Sequence, residues 1–240
     1  MKNNKVLVIT SFNEKLFKDY AYRFVKTYNL PFELKIYTEK LFDIEEKYEC
    51  KYSLIELNNE SKLFVERNKN KRFRDYTYDG VRFSYKVYAV TQAAIDIKNY
   101  DILIWIDADS VFYKPMTIDF VKEHLYDENK MMTYLGRGTR YSECGFLLWN
   151  LNHKDTQDYF KEMKKMYDED LIYNEQEYHD SYIWDLIRKK FEKERGTVNI
   201  DIGLREIHGH VHAESILSNY FDHLKGPERK KLGRSWEFKL

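Results

Sequence analysis

The stretch that decides the fold is Tyr100-Asp101-Ile102-Leu103-Ile104-Trp105-Ile106-Asp107-Ala108-Asp109-Ser110-Val111-Phe112-Tyr113-Lys114. The run Ile102 to Ile106 is apolar without a break and mostly β-branched or aromatic, the pattern of a central strand covered on both faces. It stops abruptly at Asp107. Carboxylates just past the C-terminal end of such a strand fall where open α/β sheets bind ligands. Asp107 and Asp109 are separated by one residue, so in an extended segment they point the same way and can share one hard cation. Oxygen ligands of this kind suit Mg²⁺ or Mn²⁺. An Asp-x-Asp pair alone is commonly a solvated loop or a helix cap; the buried strand in front of it makes a functional role the better reading.

Outward from this stretch, the chain opens with a βαβ pattern. Lys5 to Thr10 reads as a buried strand, Ser11-Phe12-Asn13 as a polar turn able to cap a helix, and Phe17, Tyr20, Ala21, Phe24, Val25 and Tyr28 repeat at helical spacing. Glu33 to Thr38 alternates as a second strand, which makes the sheet parallel at its start. The turn after a first strand faces the ligand, so Thr10, Ser11 and Asn13 are candidate nucleotide contacts as well as caps. Tyr52 to Leu57 reads as a third strand, Asn59 to Lys69 as a helix, Asn70 to Gly80 as a charged, tyrosine-rich loop, and Arg82 to Lys98 as a helix running into the central strand. Arg82 and Lys86 lie one turn apart at its start, positioned for a diphosphate or for ordinary solvation.

Beyond Asp109, Ile118 to Leu125 reads as a short helix. Met131 to Leu135 and Gly145 to Trp149 read as strands joined by a flexible basic turn, Gly136 to Arg140. Gly145, after Glu143 and Cys144, allows close backbone approach to a ligand. Asp155 to Tyr167 and a segment of Gln176 to Glu194 read as helices, with His179 and Asp180 at the start of the second; Asp180 is a candidate catalytic residue or an N-cap. Val198 to Ile202 reads as a late strand. Near the C-terminus, His223, Gly226 and the basic residues Lys225, Arg229 and Lys230 form a set suited to a metal–diphosphate: an imidazole to complete the cation's shell, a glycine for close approach and cations for phosphate oxygens.

Composition sets the class. The 240 residues suit a single domain with a substantial core. Lys plus Arg and Asp plus Glu are 40 each, so overall charge advertises neither nucleic acid nor an anionic membrane. With 21 Tyr, 15 Phe and only 3 Pro, the chain reads as packed rather than disordered. Cys50 and Cys144 form neither a disulfide framework nor a zinc site. A polar start without a signal peptide, and the lack of any membrane-length apolar run, set the expectation at the cytosol of a bacterium or of a virus-infected cell.

Together the opening βαβ unit, Trp105-Ile106-Asp107-Ala108-Asp109, the strand from Glu143 to Asn150, the His179-Asp180 helix start and the terminal His223-Leu224-Lys225-Gly226 segment resemble the GT-A class of nucleotide-sugar glycosyltransferases. The resemblance implies an α/β, Rossmann-like, mostly parallel mixed sheet flanked by helices in one domain, with a nucleotide-binding half over 1–110 and an acceptor half over 111–240. It further implies that Asp107, Asp109 and His223 hold Mn²⁺ or Mg²⁺ on the diphosphate of a UDP-type donor, with Ala108 between them. Cys144, Gly145 and Asp180 would border the sugar and the acceptor, with Glu143 a second carboxylate candidate for base catalysis. The acceptor itself, whether glycan, protein, lipid-linked glycan or modified nucleobase, is left open. The Asp-x-Asp also fits the first motif of haloacid-dehalogenase-type phosphatases, but there it follows the first strand of the chain and needs a late acidic pair, and no Asp-Asp comes after it here. A sugar-nucleotide binder without turnover is a third reading, disfavoured by the intact metal set.

Overall fold

The computed structural model describes residues 4–44, 48–96, 99–203 and 210–237. Five strands make up the near half and centre of the main sheet: β1 (Val6–Ser11), β2 (Glu33–Thr38), β3 (Tyr52–Glu56), β4 (Ile102–Ile106) and, further along, β7 (Arg140–Asn150), separated from β4 in sequence by β5 (Ser110–Phe112) and β6 (Met132–Arg137). A short β8 (Ile200–Asp201) completes the main sheet, and β9 (Phe221–His223) pairs elsewhere. The seven main strands lie in the order β3-β2-β1-β4-β7-β6-β8. Strands β1 to β4 run parallel, β7 is antiparallel to both its neighbours, and β8 runs parallel to β6. This is the mixed, mostly parallel α/β sheet that the resemblance implies.

The central strand behaves as its composition demands. All five residues of β4 are buried, and its side chains alternate between two cores. Leu103 and Trp105 join Leu7, Ile9, Leu147 and Trp149 on one face, beneath the helices Gly80–Asp96, Thr156–Asp168 and Asp180–Arg195. Ile102, Ile104 and Ile106 join Val6, Val8, Phe146 and Leu148 on the other, against the helix Tyr22–Thr27 and the C-terminal segment. Each fully buried aliphatic side chain stabilises the fold by roughly 1.5–3 kcal/mol.

Several boundaries shift from those expected. The first helix is interrupted by a π turn at Phe17–Ala21 that carries Tyr20. Gly136 to Arg140 is not a flexible loop: β6 extends through Arg137, β7 begins at Arg140, and Gly138, at φ 59°, turns the chain between them. The strand expected over Val198 to Ile202 shortens to two residues. The helix before β4 is described to Asp96; Ile97 and Lys98 of the expected span lie outside the described residues. No helix among the described residues is long and apolar enough to cross a membrane.

A second sheet of two strands, β5 and β9, positions the site. Ser110 pairs with His223 and Phe112 with Phe221, so the C-terminal segment is fastened directly onto the residues after Asp109. Leu224 N–H donates to the Asp109 carbonyl at 2.9 Å. Two buried histidines brace β9: His210 Nε2 bonds the His223 carbonyl at 2.7 Å and His212 Nε2 the Phe221 carbonyl at 2.9 Å. Asp222 fastens the tail to this strand, accepting from Ser235 N–H at 2.6 Å and Ser235 Oγ at 2.7 Å.

Burial, reinforced by His223, pushes His212 down to about 3. A depressed imidazole contributes stability that is present above the unfolded value near 6.5 and lost as pH falls toward 3. His212 should therefore account for a loss of about 2 kcal/mol between pH 7 and pH 5. Urea denaturation of wild type and His212→Gln at both pH values checks this. The variant should show the smaller loss, and equal losses would contradict it.

Candidate active site

The end of β4 delivers Asp107 and Asp109 to the pairing line of β9. Ligand atoms of Asp107, Asp109 and His223 all lie within 4.8 Å of one another. His223 Nε2 stands 3.2 Å from Asp109 Oδ1 and 3.5 Å from Asp107 Oδ2. Two carboxylates and an imidazole converging on one point are a donor set that fits Mn²⁺ or Mg²⁺. In the structure positive side chains balance them. Burial opposes the imidazolium, but Asp109, Glu143 and Asp107 outweigh it and hold His223 up at about 9. Burial would raise Asp109, yet His223 and Lys230 hold it well below the usual carboxylate range, with Lys230 Nζ 2.8 Å from Oδ2. Asp107 goes the other way: burial raises it against the pull of Lys86 and His223.

Around this centre lies a ring of polar supports. Trp105 Nε1 donates to Asp107 Oδ1 at 2.6 Å. The Asp107 N–H donates to the Gly145 carbonyl at 2.9 Å, extending the β4–β7 register past Ile106. Lys86 lies 3.2 Å from Asp107 Oδ1 and 2.9 Å from Asp180 Oδ2, and also donates to the Cys144 carbonyl. Behind His223, Glu143 sits with Oε1 3.5 Å from Nδ1 and accepts from Gly145 N–H at 3.1 Å and from the Lys225 ammonium. Despite burial, Lys225 and His223 keep Glu143 well below its ordinary value. Gly145 is required by space, because a Cβ there would overlap the His223 imidazole.

Two adjoining cavities meet at Asp107 and Asp109. The first, about 560 Å³, receives Ser11, Asn13, Tyr20, Glu39, Tyr85, Lys86 and Ala108. The second, about 320 Å³, is bordered by Glu143, Cys144, Gly145, Lys225 and Gly226, with Tyr76 and Tyr141 on its wall. Arg82, Phe83, Asp107, Asp109, Asp180 and Lys230 line both. Asn13 serves twice: Oδ1 caps the helix at Leu16 N–H (3.0 Å) and Nδ2 donates to Glu39 Oε1 (2.8 Å) at the edge of the first cavity.

Three expected phosphate or nucleotide contacts are not placed to make them. Thr10 is fully buried within β1 and lines neither cavity; the strand becomes accessible only at Ser11. Arg229 is bound to Glu237, stacks over Trp236 and donates to the Lys225 carbonyl at 3.0 Å, facing a separate cavity. Lys86 borders the first cavity, but its three donors are committed to Asp107, Asp180 and Cys144. Asp180 is not the N-cap: His179 is, its Nδ1 accepting from Tyr182 N–H at 3.4 Å, and the Asp180 carboxylate, paired with Lys86, lines both cavities.

Residues that the sequence reading missed are Trp105, Tyr20, Tyr76, Tyr141, His210 and His212. Trp105 was legible only as core, because whether an indole edge meets a carboxylate two residues on depends on the strand's last turn. The two histidines act through backbone carbonyls, which leave no side-chain pattern.

Gly145→Ala should displace His223 and weaken Mn²⁺ binding by about 10- to 100-fold, the cost typical of disturbing a ligand's support. Titration followed by Mn²⁺ paramagnetic resonance measures it, and unchanged affinity with an unchanged melting curve would contradict the role.

No family model matches the chain, and no curated protein matches it. Among solved structures the chain is similar to mouse xyloside xylosyltransferase 1 in its apo form, at 12% identity and TM-score 0.49, over 83% of this chain and 85% of that one. It is also similar to a glycosyltransferase involved in glycosylation of the major capsid of PBCV-1, at 14% identity and TM-score 0.46, over 95% of this chain and 99% of that one. Likenesses this distant leave the chemistry to be argued from the side chains. The sheet order and the Asp-x-Asp turn at the end of β4 make this a mixed, mostly parallel α/β fold of the kind that the resemblance implies.

Proposed function

We propose that the protein is a metal-dependent glycosyltransferase that moves a sugar from a nucleoside diphosphate sugar, of UDP type, to an acceptor hydroxyl. The observation that carries this reading is the convergence of Asp107, Asp109 and His223 at the junction of two cavities. The first cavity, lined mostly by the half over 1–110, takes the nucleotide: Ser11 and Asn13 come directly after the buried part of β1, and Tyr20 and Tyr85 offer ring surface. The second, built largely from 111–240, takes the transferred sugar and the acceptor. A bound Mn²⁺ or Mg²⁺ would supply Lewis-acid stabilisation of the diphosphate leaving group.

Reaction breaks the bond from the anomeric carbon to the diphosphate oxygen and forms one to the acceptor oxygen. The hydroxyl proton passes to Asp180 in an inverting course or to the leaving diphosphate in a retaining one. Lys230 and Arg82 line both cavities and are the cations placed to share the developing negative charge. Lys86 acts differently, holding Asp107 and Asp180 in fixed relation. Glu143, kept as a carboxylate with both oxygens engaged, is a poor proton acceptor. It positions His223 instead, and Asp180 is the carboxylate left for the sugar or acceptor. Lys225 and Gly226 close the far side, while Arg229 holds the tail together.

Release of UDP from a panel of UDP-sugars, with Mn²⁺ and mixed acceptors, tests the proposal. Wild type should release UDP from at least one donor, and Asp109→Asn should lose at least about 100-fold. Full activity in Asp109→Asn, or phosphate release from simple phosphomonoesters in place of UDP release, would overturn it.

A further inference from the structure

The second cavity has a wall that metal and diphosphate chemistry leave unused. Tyr76, Phe83 and Tyr141 line it with their rings, interleaved with Arg137, Asp180 and Ser181. Tyr76 is 57% exposed, although the short 3-10 turn that carries it, Tyr76–Tyr78, is firmly held. Asp75 Oδ1 accepts from Thr77 N–H at 3.0 Å and Thr77 Oγ1 at 2.8 Å, and the Thr77 carbonyl accepts from Tyr178 N–H at 2.8 Å. At the other end Asp79 Oδ1 accepts from Arg82 N–H at 3.0 Å, and its Oδ2 pairs with Arg72. A pinned turn that nevertheless presents an aromatic ring to water beside a cavity marks a contact surface rather than a loose loop.

The rings are braced through His179. Its imidazole lies 5.9 Å from the Tyr76 ring, 4.9 Å from Tyr141 and 6.3 Å from Phe83, at interplanar angles of 61°, 67° and 65°. His179 Nε2 bonds Glu177 at 2.8 Å, and the same carboxylate accepts from the Tyr141 hydroxyl, so tyrosine and histidine are locked to one anchor. Each of the three rings thus meets the imidazole at a steep angle, and one buried histidine holds all of them in place. Extended peptide binding normally uses a free strand edge, and on this wall β7 pairs with β6 at Arg140 and Glu143, while the Ser142 and Gly145 N–H groups are taken by Asp185 and Glu143 and the Gly145 carbonyl by Asp107. A pyranose fits the chemistry better. Its C–H face lies on an aromatic ring, and its hydroxyls meet the charged and hydroxyl groups interleaved with the rings.

Building on the glycosyltransferase reading, we propose that the acceptor is a saccharide, seated in the second cavity with one sugar ring on Tyr76 and its hydroxyls reaching toward Arg137 and Asp180. Because Asp180 and Lys230 line both cavities, a sugar there sits next to the place where the donor's anomeric carbon would lie.

Saturation-transfer resonance with a mixture of methyl glycosides of common hexoses and pentoses, together with simple disaccharides, tests this in the presence of UDP and Mn²⁺. Wild type should transfer saturation to the ring protons of at least one saccharide. Tyr76→Ala should weaken that binding about fivefold or more, while Tyr76→Phe, which keeps the ring, should retain it. Melting curves confirm that the variants are folded. No saccharide signal, or one equally strong in Tyr76→Ala, would overturn the proposal. Failure of wild type to bind UDP would sink the donor reading, yet the saccharide signal and its loss in Tyr76→Ala would still decide the subsite.

Discussion

Two carboxylates held together at the mouth of a buried strand repel, and much of the surrounding structure serves to compensate that repulsion. Like charges in a poorly solvated place drive one pKa up unless opposite charge is brought close. Here burial raises Asp107, while Asp109 is held down by His223 and Lys230. Each compensating group comes from a different part of the chain. Lys86 comes from the helix before β4, His223 from β9 and Lys230 from the last described helix, Pro227–Leu232. A divalent cation between the carboxylates would do the same electrostatic work more directly, which makes the cluster suited to exchanging protein cations for metal and substrate.

The geometry rests on two registers. The β4–β7 pairing places Gly145 beside Asp107, and the β5–β9 pairing places His223 beside Ser110. Because Gly145 lacks a side chain, the imidazole can lie flush against β7 and still reach both aspartates. The site is therefore assembled by backbone pairing first and side-chain contacts second. Around it, the Glu143 carboxylate faces the His223 imidazole at 3.5 Å and Lys86 ties Asp107 to Asp180, which limits how far these side chains can rotate.

Much of this was legible in the residues, for reasons that can be named. The unbroken apolar run Ile102 to Ile106 ending in Asp107 could only be a covered strand with its polar end at a ligand edge, and that is where it lies. His223 could be singled out by its setting of glycine and basic residues. Choices made by tertiary neighbours could not be read. Arg229 looked like a phosphate ligand because its partner Glu237 becomes a neighbour only when the tail folds back. Thr10 looked accessible because a wholly buried strand gives no alternation to show which residue is last inside. The three-residue strands β5 and β9 are too short to carry any periodicity, yet they bring His223 to the aspartates. The turn at Tyr76 was hidden in a charged, aperiodic segment whose order depends on two aspartate caps.

The most direct test of the central claim is calorimetric titration of UDP into the protein with and without Mn²⁺, repeated in Asp109→Ala. Binding should depend on the metal and disappear in the variant, since Asp109 would join the cation to His223 and Lys230. UDP binding of equal strength with and without Mn²⁺, unaffected by loss of Asp109, would contradict it.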